Sequence, residues 1–237
     1  MHAPSFPVIP VDTLLMAYRN GIFPMADARD DPDIFWVEPQ DRAIIPLDGF
    51  HCSKSLRKIL RQDRFRISID EAFTDVMSLC AAPRDEDGDS WISYRIAASY
   101  RDLFDAGHAH SIECWDGSRL VGGLYGVAFD RAFCGESMFA RADNASKVAL
   151  AALVALMRRA GYALLDCQFL TRHLSSLGAI EIKQGAYLAL LAQARGEPRM
   201  TLPDAYASLS AESSDGSEST RPSSFGKSIA QSLTQTS

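Results

Sequence analysis

The chain has 237 residues, enough for one large domain or one domain with a small annex. Hydrophobic residues make up 47% and charged residues 23%, the balance of an ordinary globular protein with a sizeable core. A net charge of −6 argues against a general polyanion binder, so any nucleic-acid contact must come from a local basic patch.

The first residues, Met1-His2-Ala3-Pro4-Ser5-Phe6-Pro7, lack the basic and apolar regions of a secretory signal. No stretch approaches the roughly 20 apolar residues needed to span a bilayer. Cys52, Cys80, Cys114, Cys134 and Cys167 are scattered, odd in number and free of any CxxC pair. That pattern predicts reduced thiols in a cytoplasmic protein, with no disulfide framework and no zinc site.

Taken in chain order, Val11 to Phe23 starts as a helix and breaks at Gly21 and Pro24. Asp27 to Pro32 is a polar turn. Ile34 to Val37 and Ala43 to Ile45 read as short strands, and Ser53 to Arg61 as a helix. Phe65 to Ile69 alternates like a strand, and Glu71 to Cys80 is helical. Pro83 to Asp89 is an acidic loop. Ser93 to Ala106 is a helix ended by Gly107. Three strands follow, Ala109 to Trp115, Arg119 to Phe129 and Arg131 to Phe139, with Asp116-Gly117 as the first hairpin turn. Asn144 to Ala160 is a long apolar helix with Asn144 as its expected N-cap. Tyr162 to Phe169 is a buried strand. Thr171 to Leu177 and Gly185 to Ala194 are helices around a short strand, Ala179 to Ile182. A mixed sheet with packed helices follows, so the class is α+β. From Ser208 the chain is rich in Ser, Thr, Gln and Gly and is expected to be a disordered tail. The expected division is a small N-terminal domain over 1–62 with the basic helix, a main domain over 63–207 and a tail over 208–237.

Chemistry concentrates in a few places. Asp166 and Gln168 sit in the apolar run Leu164 to Leu170, where a strand points both to one face. A carboxylate and an amide there are costly unless paired or used. They form either a structural polar pair or a site that handles an amine. Glu136, in Gly135-Glu136-Ser137, adds a second carboxylate if its strand is a neighbour, and two carboxylates suit a cationic substrate. The segment is not a GxSxG elbow, so Ser137 is not read as a nucleophile. His108 and His110 alternate but have no third ligand at a telling spacing. Lys54, Arg57, Lys58 and Arg61 fall on one helix face, with Arg64 and Arg66 just beyond. A like-charge stripe costs helix stability, and phosphate binding explains it. Trp36 is expected in the core. Trp91 is either core or a base-stacking platform.

Several stretches carry a resemblance. They are Ala17-Tyr18-Arg19-Asn20-Gly21-Ile22-Phe23-Pro24, Trp91-Ile92, Gly107-His108-Ala109-His110-Ser111-Ile112-Glu113 and Leu120 to Ala128. They continue with Phe133-Cys134-Gly135-Glu136-Ser137-Met138-Phe139, Asn144-Ala145-Ser146-Lys147, Leu165-Asp166-Cys167-Gln168 and His173 to Ala179. In this order they resemble the leucyl/phenylalanyl-tRNA–protein transferase family. The resemblance implies an acetyltransferase-like (GNAT-like) domain behind a smaller N-terminal one. It implies transfer of Leu or Phe, and less readily Met, from aminoacyl-tRNA to proteins beginning with Arg or Lys, as a degradation signal. No metal and no organic cofactor are expected, because the ester is already activated.

By the same resemblance Asp166, Gln168 and Glu136 form the reaction centre, and Trp91 packs on the terminal adenine. Leu124, Phe133, Met138, Leu150, Leu153, Met157 and Leu165 form the side-chain pocket. Lys54, Arg57, Lys58 and Arg61 meet the tRNA acceptor stem. Met25 stands where many members have Trp, and Lys183-Gln184 replaces a usual Pro-Arg, which is expected to loosen that segment. A coenzyme A-dependent acetyltransferase is disfavoured because Phe139 to Asn144 lacks the glycines of a pyrophosphate loop. A non-catalytic RNA-binding module would have no use for a buried Asp-x-Gln.

Overall fold

A computed structural model describes residues 7–83, 90–214 and 224–234. Helix α1 (Val11–Arg19) buries Leu14, Leu15 and Tyr18 and stops short of the expected end. Phe23–Met25 is instead strand β1, paired antiparallel with β2 (Phe35–Val37) in a two-stranded ribbon. Trp36, expected in the core, stands 43% exposed on the outer strand of that ribbon. Strand β3 (Asp41–Ile45) is followed by a 3₁₀ turn and by α2 (Lys54–Arg61), whose first turn is capped by the Ser53 hydroxyl accepting from the Leu56 amide at 3.1 Å. Next come β4 (Arg66–Ile69), α3 (Phe73–Cys80) and α4 (Tyr94–Asp105). Arg84 to Asp89, most of the expected acidic loop, lies outside the described residues.

The central strands are β5 (Ala109–Asp116), β6 (Arg119–Phe129) and β7 (Ala132–Ala140), an antiparallel meander as expected. Helix α5 (Ala145–Ala160) carries the chain over to β8 (Leu164–Gln168). Asn144 holds the cap position with φ 67° and makes no side-chain cap bond, contrary to the expected N-cap. Then follow α6 (Arg172–Ser175), β9 (Ile180–Lys183) and α7 (Gln184–Gln193). The large sheet has seven strands in the order β4-β5-β6-β7-β8-β3-β9. All its pairs are antiparallel except β7–β8. The result is a mixed α/β protein with a mostly antiparallel sheet.

Two corrections follow from the topology. Strand β3 belongs to the expected N-terminal segment 1–62, yet it occupies an interior place between β8 and β9. The tail expected from Ser208 instead contains the end of α8 (Leu202–Ser214) and α9 (Phe225–Ser232). Leu202, Ala205 and Leu209 bury one face of α8, and Ile229 and Ala230 one face of α9. Small residues hid an amphipathic pattern that packs well against a helix with many alanines. Residues 215–223 and 235–237 lie outside the described residues.

The sheet separates two apolar layers. One gathers Leu56, Leu60, Leu124, Leu150, Leu153, Leu165, Leu209 and Ile229 around α5. The other gathers Leu14, Tyr18, Phe73, Ile96, Tyr100, Tyr125, Leu164 and Tyr187 from α1, α3, α4, α7 and the opposite strand face. α5 seats closely because residue 122 is glycine: a Cβ there would lie 2.4 Å from the Ala145 Cβ. Among the described residues no helix is long and apolar enough to cross a membrane.

Candidate active site

The parallel pairing of β7 with β8 positions the site. β7 and β8 are laddered only from Ala132↔Leu164 to Cys134↔Asp166. Beyond that point β7 runs on to Ala140 without β8 beside it, and the two strands part. A shift of register in β6–β7, between Tyr125 and Gly126, places Glu136 at the parting. Between the strands opens a cleft of about 910 Å³. It reaches both apolar layers, with Leu150, Leu153 and Leu165 on the α5 side and Trp91, Tyr125 and Leu79 on the other.

Asp166 does not line this cleft. It is fully buried and forms a two-pronged ion pair with Arg42, Nε to Oδ1 at 2.9 Å and Nη2 to Oδ2 at 2.5 Å. The Gln168 backbone N–H donates to Oδ1 at 2.8 Å and the Tyr187 hydroxyl to Oδ2 at 2.9 Å. Each carboxylate oxygen therefore accepts two bonds. Arg42 is 1% exposed, donates to the Gly21 carbonyl at 3.0 Å and lies between the rings of Phe23 and Tyr187. Burial alone would lower its pKa, but the bonds and charge of Asp166 override that and hold the guanidinium above its ordinary value. Arg42 was missed in the sequence, although a cation in the strand-like run Arg42-Ala43-Ile44-Ile45 signals a buried partner.

Gln168 ends β8 with a φ of 61°, which turns the chain where Asp166 accepts from its backbone amide. Gln168 lines the cleft, whereas Asp166 does not. The amide lies close enough to Glu136 to favour its charge, yet Nε2 closes no hydrogen bond with any described residue. Glu136 is 7% exposed and accepts from the Tyr18 hydroxyl at 2.8 Å and the Tyr100 hydroxyl at 2.9 Å. The two hydroxyls also lie within hydrogen-bonding distance of each other, a contact that a proton can fill only if one of them turns from Glu136 or Glu136 is itself protonated. Burial, offset in part by the tyrosine hydroxyls and the Gln168 amide and reinforced by the Asp166 charge, brings Glu136 up to about 7. Tyr125 lines the same cleft with a hydroxyl that has no hydrogen-bond partner among the described residues. None of these tyrosines carried a distinguishing signal, since each sits in an ordinary apolar pattern.

The expected pocket residues divide. Leu124, Met138, Leu150, Leu153 and Leu165 line the cleft, as does Trp91. Phe133 and Met157 are fully buried and lie behind it in the α5 layer. Met25 also lines the cleft from β1. Lys183-Gln184 is tied down: Lys183 pairs with Asp41 at 2.5 Å, and the Gln184 side chain donates to Glu38 at 2.6 Å. His110 pairs with Asp70 at 2.7 Å, away from the cleft, and among the described residues no cluster is suited to hold a metal ion.

The basic helix is α2. Lys54, Lys58 and Arg61 are exposed with no ion-pair partner among the described residues. Arg57 is half-buried against the Cys52 carbonyl. Arg64 is engaged by Asp116 and Arg66 by Glu71, so those two add less free charge than expected.

The family model described as leucyl/phenylalanyl-tRNA protein transferase matches residues 44–192, and that of the same family's N-terminal domain matches residues 9–40. A leucyl/phenylalanyl-tRNA–protein transferase of Novosphingobium aromaticivorans is 62% identical over 187 residues, covering 79% of this chain and 71% of the relative. One from Rhodospirillum rubrum is 50% identical over 201 residues, covering 84% of this chain and 94% of the relative. Among solved structures, L-PGS from Bacillus licheniformis is similar at a TM-score of 0.40 and 11% identity, over 67% of this chain and 65% of that one.

Proposed function

Because this chain belongs to the leucyl/phenylalanyl-tRNA–protein transferase family, we propose that it moves Leu or Phe, and Met less readily, from aminoacyl-tRNA to proteins that begin with Arg or Lys. The acceptors are thereby marked for degradation by their new first residue, in the cytoplasm. The observation that carries this reading is the cleft itself: an apolar lobe under α5 joins a neck where Glu136 and Gln168 sit together. The parallel β7–β8 pair that parts around it supports an acetyltransferase-like arrangement.

In this reading the donor's side chain enters the lobe between Leu150, Leu153 and Leu165, and the terminal adenine packs on Trp91. The acceptor's α-amine nitrogen attacks the ester carbon, and the carbonyl π pair moves onto its oxygen. When that pair returns, the bond to the ribose oxygen breaks. The ribose oxygen keeps the electrons and takes up the proton that the amine gives up. Glu136 attracts the cationic acceptor, and binding of an ammonium beside it favours its charged form. Asp166 already accepts four bonds, which supports a positioning role: through Arg42 and the Gln168 amide it fixes the turn that aims Gln168 at the reacting centre. The exposed cations of α2 suit the phosphates of the acceptor stem.

A transfer assay with labelled Leu-tRNA tests the reading. Label is expected on a peptide beginning with Arg or Lys and absent from matched peptides beginning with Asp or Ala. Phe-tRNA should serve as well, and Met-tRNA more weakly, within the roughly 1–3 kcal/mol that an apolar pocket discriminates. Equal labelling of all peptides would remove the acceptor half of the proposal, and no labelling would remove the reaction.

A further inference from the structure

The match to the family model ends at residue 192, and the chain beyond it folds back onto the α5 layer. Its last helix lies against α2. Gly226 approaches so closely that a Cβ there would stand 2.2 Å from the Leu60 carbonyl oxygen and 2.7 Å from Asp63 Oδ1. The Gly226 N–H donates to Asp63 Oδ1 at 3.1 Å, so the acid that follows α2 is engaged by the first turn of α9. At the other end Arg158 ties two segments together, donating to the Ser232 carbonyl at 3.1 Å and to the Leu47 carbonyl at 3.0 Å through Nε. Ile229, Ala230 and Leu233 share an apolar layer with Leu56 and Leu60, the buried face of α2.

Helix α2 needs such a support. It has only 8 residues, fewer than an isolated helix requires. Its Lys54–Lys58 and Arg57–Arg61 spacings set like charges one turn apart, which destabilises a helix by a few tenths of a kcal/mol per pair. Packing on its apolar face must offset that. α9 supplies part of the packing while Lys54, Lys58 and Arg61 stay exposed.

We propose that α9 is a positioning clamp, which holds the basic face of α2 in the orientation that meets the phosphates of the donor's acceptor stem. This rests on the reading of α2 as the RNA-contacting helix. Two readouts separate a clamp from a general support of the fold: the KM for full Leu-tRNA, and the inhibition constant of a leucyl-adenosine amide, which enters the cleft without a stem. Gly226→Ala in the full chain adds the clashing Cβ while favouring helix in α9 itself. It is expected to raise the KM for Leu-tRNA about tenfold and reduce the salt dependence of binding, with the leucyl-adenosine constant unchanged within about twofold. Deleting residues 215–237 should give the same pattern. Lys58→Glu is the control on the underlying reading, and it too should raise the KM for Leu-tRNA alone. If Lys58→Glu leaves that KM unchanged, α2 is not the RNA helix and the proposal loses its basis. If Lys58→Glu raises it while Gly226→Ala and the deletion do not, the clamp is overturned. Equal loss of both ligands in Gly226→Ala and the deletion would overturn it too, by reducing the extension to general support.

Discussion

Arg42→Met is expected to cost about 3–5 kcal/mol of stability in urea unfolding and to abolish measurable transfer. The substitution leaves Asp166 fully buried without its cation, in a layer where the Tyr187 hydroxyl and the Gln168 amide are its remaining donors. A buried charge stripped of its partner carries most of its desolvation cost, whereas replacing both members by apolar groups removes that cost. The double change Arg42→Met/Asp166→Leu should therefore regain most of the lost stability and none of the activity. That dissociation follows only if the ion pair exists to shape the Gln168 turn. If the double variant transfers normally, the pair is structural filler and the assignment of a positioning role to Asp166 fails.

Glu136→Gln is expected to lower kcat/KM for Arg-peptides by roughly 10²-fold or more, the scale of losing one buried charged partner for a cation. The same change should leave the protein as stable as the parent, or more so, at pH 8. The sign follows from the direction of the shift. Glu136 titrates near 7 in the folded protein, above the unfolded carboxylate value of about 4.3. Its neutral form therefore favours folding. That contribution is complete below about pH 4.3 and is lost as pH rises through 7. A glutamine keeps a neutral group at every pH, so the stability of the variant relative to the parent should climb between pH 5 and pH 8. Thermal unfolding across that range reads the climb directly. A variant that loses activity and also loses stability at pH 8 would mean that Glu136 holds Tyr18 and Tyr100 in place and has no part in attracting the acceptor.

Much of this arrangement is legible in the sequence. The meander of β5, β6 and β7 follows from alternation and the Asp116-Gly117 turn, and the apolar period of α5 from Val148 to Met157. Asp166, Gln168 and Glu136 stood out because polar groups in apolar strands need a reason. What stayed hidden depends on contacts distant in sequence. Nothing in Ala43-Ile44-Ile45 says that β3 inserts between β8 and β9, and without that placement Arg42 has no visible partner. Strand alternation puts Asp166 and Gln168 on one face, but it does not show the positive φ of Gln168 that turns the chain there, or that Gln168 lines the cleft while Asp166 is sealed behind it. The bulge beside Gly126 that sets Glu136 at the neck is one residue of register, which a periodicity argument does not resolve. The helices near the C-terminus were missed because Ala and Ser serve as packing residues against the alanines of α5, and composition alone reads them as solvated.

The most direct test of the central claim is a crystal structure of the enzyme with a non-hydrolysable leucyl-adenosine amide. The leucyl side chain is expected between Leu150, Leu153 and Leu165, the adenine on Trp91, and the amide carbon in the neck between Glu136 and Gln168. An analogue bound elsewhere, or with its side chain outside the α5 lobe, would contradict the claim that the parting of β7 and β8 is where the ester and the amine meet.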